Sequence, residues 1–411
     1  MTGWLLLAAF ANALLGAPAT GPDEQSPRPP ASAPRPTEAV LARRLASMGT
    51  TLDLTVLAVD RPAAVAASER AVEALEAAER RLSTWRDDTE LAAVNRAPVG
   101  APVPLSKELA RDLAAALDCA RETGGAFDPT VGALVAAWGL RHGGRHPSDP
   151  EIEAALRATG FASLSVDPQA APPVAIRRLA GLAIEEGGFG KGAGLADAIA
   201  ALSQAPGARA ALLDLGGQVA VWESPGKIQK TPWKVAIADP DRRNRPVLEV
   251  VLGGGSLSTS GNGERGMMVG GERIGHILDP RTGRPAPDFG SLTVFAADPL
   301  RADCLSTGLF VLGPEAALAF AAAHPGVEVI ALVRDPSGRR LTARVSSGLA
   351  GRIKTLAPDG VKLEIARPGA KKSKLSGGPV APRGAAFVVA GKQNRRGAGP
   401  WVAPWRTRPL P

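Results

Sequence analysis

Four short segments of the 411-residue chain carry residues that could do chemistry. The first is Glu185-Glu186-Gly187-Gly188-Phe189-Gly190-Lys191-Gly192. Its glycines would let the backbone approach a phosphate, a following helix would offer free N–H groups, and Lys191 adds a positive charge. The same residues would also serve as a plain tight turn. The second is Ala302-Asp303-Cys304-Leu305-Ser306-Thr307. On a helix Asp303 and Thr307 share one face. A carboxylate with hydroxyls is hard-oxygen chemistry, suited to Mg²⁺ rather than zinc. Equally, Asp303 could be a first-turn partner of the helix dipole. The third is Thr259-Ser260-Gly261-Asn262, followed by His276-Ile277-Leu278-Asp279-Pro280-Arg281-Thr282-Gly283, whose turn sets His276 at a strand end. The fourth is Thr123-Gly124-Gly125-Ala126-Phe127-Asp128-Pro129-Thr130, with Asp128 as a helix N-cap or a ligand contact.

These segments need elements to position them. Alternation over Thr50 to Val59 predicts a strand, and helical spacing predicts helices over Pro62 to Leu82, Ser106 to Glu122, Val131 to Leu140 and Asp149 to Ala158. Ala175 to Arg178 and Leu182 to Glu185 read as a hairpin, leading through the Gly-rich turn to a helix over Gly192 to Leu202. Strand-like runs follow from Ala210 to Ala297, then helices over Leu300 to Leu312 and Pro314 to Ala323, and a strand over Val327 to Val333. Leu356 to Ile365 reads as a hairpin around Pro358-Asp359-Gly360. Strands come in runs and β-α alternation is poor, so the expected class is α+β with largely antiparallel sheets and flanking helices. Gly188-Phe189-Gly190-Lys191-Gly192-Ala193 with Asp214 downstream has the outline of a Rossmann fingerprint, but the hairpins after Asp214 argue against it.

Net charge is +8, yet from Arg344 onward the chain holds 14 Lys+Arg against 2 Asp+Glu, or +12. The remainder holds 34 against 38, or −4, so the body is mildly acidic and no nucleic-acid partner is expected. Trp4 to Leu15 is apolar and too short to span a membrane, and Ala17 and Ala19 resemble a cleavage site. Residues 1–20 therefore read as a signal peptide, which implies a periplasmic or otherwise exported protein with no span in the mature chain. Residues 21–40 read as a Pro-rich linker, 41–350 as the folded domain and 351–411 as a basic, Gly/Pro-rich, disordered tail. Cys119 and Cys304 read as small buried hydrophobes, and no zinc or iron–sulfur pattern is present.

Taken in order, these segments resemble the FAD:protein FMN transferase (ApbE) family. The matching pieces are Met48-Gly49-Thr50, Leu82-Ser83-Thr84-Trp85 with Glu90-Leu91 and Asn95, the Gly125 to Thr130 block with Trp138-Gly139, Gly187 to Gly192 with Asp197, Asp214 to Gly217, Thr259-Ser260-Gly261, His276 to Gly283, and Ala302-Asp303 to Thr307. The resemblance implies a T-fold-like architecture and Mg²⁺-dependent transfer of FMN from FAD to a Thr or Ser hydroxyl, with release of AMP. The implied partner is an acceptor flavoprotein of a membrane redox complex. By motif position the implied metal ligands are Gly188, Asp303, Ser306 and Thr307. Met48, Trp85, Ala126, Phe127, Asp128, Glu185, Lys191 and Ile277 fall where the family contacts FAD. His276 is the candidate general base, since it is the one histidine within a motif. Glu185 stands where Asp is usual, Trp85 where Tyr is frequent and Gly190 where Ala is common. Two further readings stay open: an FAD pyrophosphatase giving FMN and AMP, which uses the same site with water as nucleophile, and a non-enzymatic flavin-binding protein, which would need the pocket without the metal pair and against which Asp303 and Thr307 count.

Overall fold

The computed structural model describes residues 38–226, 232–263, 266–338 and 340–367. The expected signal peptide, nearly all of the expected linker and the residues beyond 367 lie outside the described residues. The helices are α1 (Arg61–Leu82), α2 (Glu90–Arg96), α3 (Lys107–Glu122), α4 (Gly132–Ala137), α5 (Asp149–Arg157), α6 (Gly190–Ser203), α7 (Pro299–Leu312) and α8 (Pro314–Ala323). Side-chain oxygens of Asp60, Thr89, Ser106 and Asp298 cap α1, α2, α3 and α7.

A nine-stranded sheet forms the frame. Its strands run Ala39–Ser47, Thr50–Ala58, Ala208–Leu215, Gln218–Glu223, Gly255–Gly261, Gly290–Ala296, Glu328–Arg334, Leu341–Val345 and Val361–Ile365, so spatial order follows chain order. Every neighbouring pair is antiparallel except the last, which is parallel. The class is α+β with largely antiparallel sheets, and the antiparallel frame rules out the Rossmann outline.

Both faces of the sheet are covered, which its composition requires. In Glu328–Arg334, Val329 and Ala331 join the core under α3 and α7, while Ile330 and Leu332 join a core on the other face. A three-stranded sheet of Trp233–Asp239, Arg242–Leu252 and Ile353–Thr355 closes that second core. A third core holds α1 and α6 against Thr50–Ala58 and Ala208–Leu215. Apolar runs buried on both sides are what such a sandwich of layers demands.

Several expectations need correction. Val174–Arg177 pairs with Pro102–Pro104 and Leu164–Asp167, and Leu182 to Glu185 is not its hairpin partner. Instead the buried Arg177 guanidinium donates to the Val94, Ala97 and Leu182 carbonyls and fills the space between them. The C-terminal hairpin does not form either. Ile353–Thr355 pairs with Leu248 to Val250, and Val361–Ile365 pairs with Leu341–Val345. Residues 353–365, assigned from sequence to the tail, therefore belong to the folded body. The strands Ala39–Ser47 and Leu341–Val345 were not foreseen. Asp128 does not cap α4, whose N-cap is Val131.

Candidate functional site

The site forms where α6 and α7 begin side by side. Gly192 permits the approach: a Cβ there would lie 2.5 Å from the Pro299 carbonyl oxygen and 2.8 Å from the Asp303 Cβ. The Asp303 carboxylate, buried in the first turns of α7, sits against the amino end of α6. It accepts from the Gly192 N–H at 3.0 Å and the Ser258 hydroxyl at 3.1 Å, and Lys191 Nζ lies 3.5 Å away. The α6 N-terminus favours an anion, so it both holds Asp303 and faces the Gly187–Gly188 turn.

Hydroxyls continue outward from this carboxylate. Ser306 is fully buried; its Oγ lies 3.1 Å from Ser258 Oγ and 2.9 Å from Ser260 Oγ, and it donates to the Asp303 carbonyl at 2.9 Å. Thr307 donates to the same carbonyl at 3.3 Å. A Cβ on Gly188 would lie 3.4 Å from Thr307 Oγ1 and 3.0 Å from the Phe127 ring, so backbone, hydroxyl and ring meet there. The structure thus brings Gly188, Lys191, Asp303, Ser306 and Thr307 together. Among the described residues no three His, Cys, Asp or Glu side chains cluster as a metal site. The donors here are one carboxylate, hydroxyls and backbone carbonyls, a set that fits a hard cation.

A second group lies at the other end of the Gly-rich turn. Asn95 pairs with both backbone groups of Ile184, at 2.9 and 2.7 Å, in place of a neighbouring strand. This fixes Glu185, whose carboxylate accepts from Arg141 at 2.5 Å. Burial, reinforced by the neighbouring Glu186 carboxylate, pushes the Glu185 acid up from its usual range. Arg141 also donates to the Thr84 carbonyl at 2.7 Å and to the Thr84 hydroxyl, and its guanidinium lies 4.8 Å from the Trp85 ring centre. Trp85 is 67% exposed.

The remaining predicted residues are placed as follows. Met48 forms, with Gly49, the two-residue turn between Ala39–Ser47 and Thr50–Ala58, at φ 48 and 70. Positive φ at both positions is the primed hairpin geometry, unusual for a methionine. Its N–H donates to Glu79 at 3.0 Å. Ala126, Phe127 and Ile277 are buried in the main core. The Asp128 carboxylate accepts from the Thr130 N–H and hydroxyl at 2.7 and 2.6 Å and from the Phe161 N–H at 2.9 Å, and burial raises its pKa. His276 lies between Glu272–Ile274 and Leu278–Asp279, beside Ile277. Trp138 ties α4 to that region, its indole donating to the Gly283 carbonyl at 2.7 Å.

Sequence reasoning missed Ser258 and Arg141, and it named Thr84 in a motif without giving it a role. Ser258 had a signal, since alternation along Gly255–Gly261 puts it on the same face as Ser256 and Ser260. Arg141 had none, because its partners are far away in sequence. It also left Asp197 without a role: Asp197 joins Asp112, Arg81 and Arg111 in a part-buried ion-pair cluster linking α1, α3 and α6.

An α+β frame that sets one carboxylate, hydroxyls and a lysine at a helix N-terminus has the chemistry that suits a phosphate-bearing ligand. Residues 48–331 match the ApbE family. A Klebsiella pneumoniae protein named FAD:protein FMN transferase is 34% identical over 80% of this chain and 93% of its own length. A Treponema pallidum protein of the same name is 36% identical over 72% and 84%. The apbe protein of Thermotoga maritima superposes with a TM-score of 0.64 at 29% identity, covering 72% of this chain and 94% of that one. The Pseudomonas stutzeri flavinyl transferase ApbE gives 0.61 at 28%, covering 72% and 92%. The chain belongs to the ApbE family and is an enzyme of that flavin-transferring class.

Proposed function

We propose that the chain transfers FMN from FAD to a Thr or Ser hydroxyl of an acceptor protein, with Mg²⁺ bound, releasing AMP. The observation that carries this reading is the convergence of Asp303, Thr307 and the Gly188 backbone beside Lys191 at the start of α6. Asp303, Thr307, Ser306 and the Gly188 carbonyl would hold the metal. Once bound, Mg²⁺ supplies charge neutralisation at the diphosphate. The chain's own groups do the rest. Lys191 and the α6 N-terminus attract the diphosphate and hold it in place. Trp85 offers a ring face. Met48, Ala126, Phe127 and Ile277 would line the ligand site, the last three from within the main core. Asp128 keeps the Ala126–Phe127 loop in place through its three hydrogen bonds, and Glu185 does the same for the Gly-rich turn.

His276 takes the acceptor hydroxyl proton on a ring nitrogen. The hydroxyl oxygen bonds to the FMN-side phosphorus, the link to the AMP phosphate breaks, and AMP leaves with both electrons of that bond. The acceptor would be a flavoprotein of a membrane redox complex outside the cytoplasm, met by an exported enzyme. The decisive experiment incubates the protein with FAD, Mg²⁺ and a threonine-containing acceptor protein. The expected result is an acceptor mass gain of one FMN together with stoichiometric AMP. Free FMN and AMP without a mass gain would make the enzyme a pyrophosphatase.

A further inference from the structure

Arg141 joins two loops that are distant in sequence. One is Ser83–Trp85 after α1; the other is the turn at Glu185 and Glu186 that leads into α6. The guanidinium lies over the Trp85 indole at 4.8 Å, donates to the Thr84 carbonyl at 2.7 Å and to Glu185 at 2.5 Å, and reaches the Thr84 hydroxyl, which in turn bonds Glu186. Arg141 is itself on a tight turn after α4, where the His142 and Gly144 N–H groups both donate to the Gly139 carbonyl, at 2.9 Å each. All the groups it touches are thus held at once.

We infer that Arg141 is a positioning residue for the ligand's ring, an inference that rests on the FAD reading above. An exposed tryptophan normally samples several rotamers, and ordering it on binding costs affinity. Here a cation covers one face and leaves most of the indole open, so the ring stands as a preformed platform for a planar heteroaromatic ring, isoalloxazine or adenine. The same guanidinium offsets Glu185 and Glu186, two carboxylates that would otherwise repel an incoming diphosphate. A planar fork is needed to stack on a ring and donate to two partners together, which a lysine cannot do.

A double-mutant cycle in the full-length protein tests this, with FAD, FMN and AMP each titrated and melting temperature recorded. Trp85→Ala is expected to weaken FAD binding. Arg141→Ala is expected to raise the FAD dissociation constant about tenfold, as loss of a stacked, hydrogen-bonded cation implies. In the Trp85→Ala background the same change should matter less than about twofold, because the two residues act as a unit. Arg141→Lys should not restore affinity, and turnover at saturating FAD should stay within a few-fold. If the change weakens FMN alone, isoalloxazine is the ring on Trp85; if AMP alone, adenine is. Should Arg141→Ala melt well below wild type, Arg141→Gln, which keeps donors but not charge, is expected to give a smaller loss with the same dependence on Trp85. An equal effect of Arg141→Ala in both backgrounds, or none in either, overturns the proposal and leaves the FAD reading standing. Unchanged FAD affinity in Trp85→Ala would instead remove Trp85 as a ligand contact, and the role of Arg141 with it.

Discussion

Asp303 carries two loads, as anchor of the α6 N-terminus and as the only carboxylate of the proposed metal set. Replacing it with Ala would leave the buried Gly192 N–H without its acceptor, a cost of about 1–3 kcal/mol. Asp303→Asn is therefore the sharper variant, since its amide oxygen still accepts while the charge is lost. It should fold with a melting temperature near wild type, yet FMN transfer should fall to background at any Mg²⁺ concentration. Full activity in Asp303→Asn would remove Asp303 from the ligand set. His276 makes the opposite prediction. His276→Ala should keep FAD affinity within a few-fold while flavinylation of the acceptor slows by roughly 10²–10⁴, the effect of removing a general base. A parallel fall in affinity and rate, read by FAD titration and acceptor labelling, would make His276 a binding residue instead.

Between elements, the α6–α7 contact sets the tolerance of the site. A Cβ at Gly192 would press on backbone at 2.5 Å, and backbone cannot rotate away. Gly192→Ala should cost roughly 1–3 kcal/mol as overpacking and move Asp303 off its donors. Calorimetry should show a lower melting temperature, and activity should fall further than stability alone explains. The start of α5 offers a pH-dependent test away from the site. Glu151 accepts from the Ser148 N–H at 2.7 Å and hydroxyl at 2.8 Å, and those bonds, with Arg145, hold its pKa at about 2. A depressed carboxylate stabilises the fold above its ordinary value of 4.5 and loses that contribution as pH falls toward 2. Glu151→Gln should thus melt slightly below wild type at neutral pH, with the gap closing by about pH 2. A gap independent of pH would show that the capping box does not work through charge.

At the scale of the whole molecule, the last strand is part of the frame. Val361–Ile365 completes the sheet on Leu341–Val345, and Val361 is buried against the second core. A chain ending at Pro368 should fold and turn over FAD as the full chain does. One ending at Ala357 loses that strand, and burial of Val361 alone is worth roughly 1.5–3 kcal/mol. It should melt well below wild type in a thermal scan; equal melting temperatures would show the strand to be dispensable. Ligand choice also belongs to this scale, because the proposed ring platform at Trp85 and the proposed cation site at Asp303 lie on different elements. FAD should bind clearly better than NAD⁺ by calorimetry, and the reverse order would count against the proposed pocket.

Local sequence determined the helices well, because periodicity, caps and glycine stops act within a few residues. Ser106 before α3 and Gly124–Gly125 after it are one such case, and Asp303 with Thr307 on one helical face is another. Motif order was enough to point to the ApbE family. What needed the tertiary structure was every pairing between distant segments. Arg177 occupies the place of an expected hairpin because Val94, Ala97 and Leu182 carbonyls converge on it. Val361–Ile365 turns from a tail into a strand because Leu341–Val345 offers an open edge. Ser258 reaches Asp303 across 45 residues, and Arg141 reaches Glu185 across 44 and Thr84 across 57. A side chain's own neighbours in the chain set which helix or strand it joins; only the folded sheet and the α6–α7 contact decide which carboxylate, hydroxyl or guanidinium it will meet.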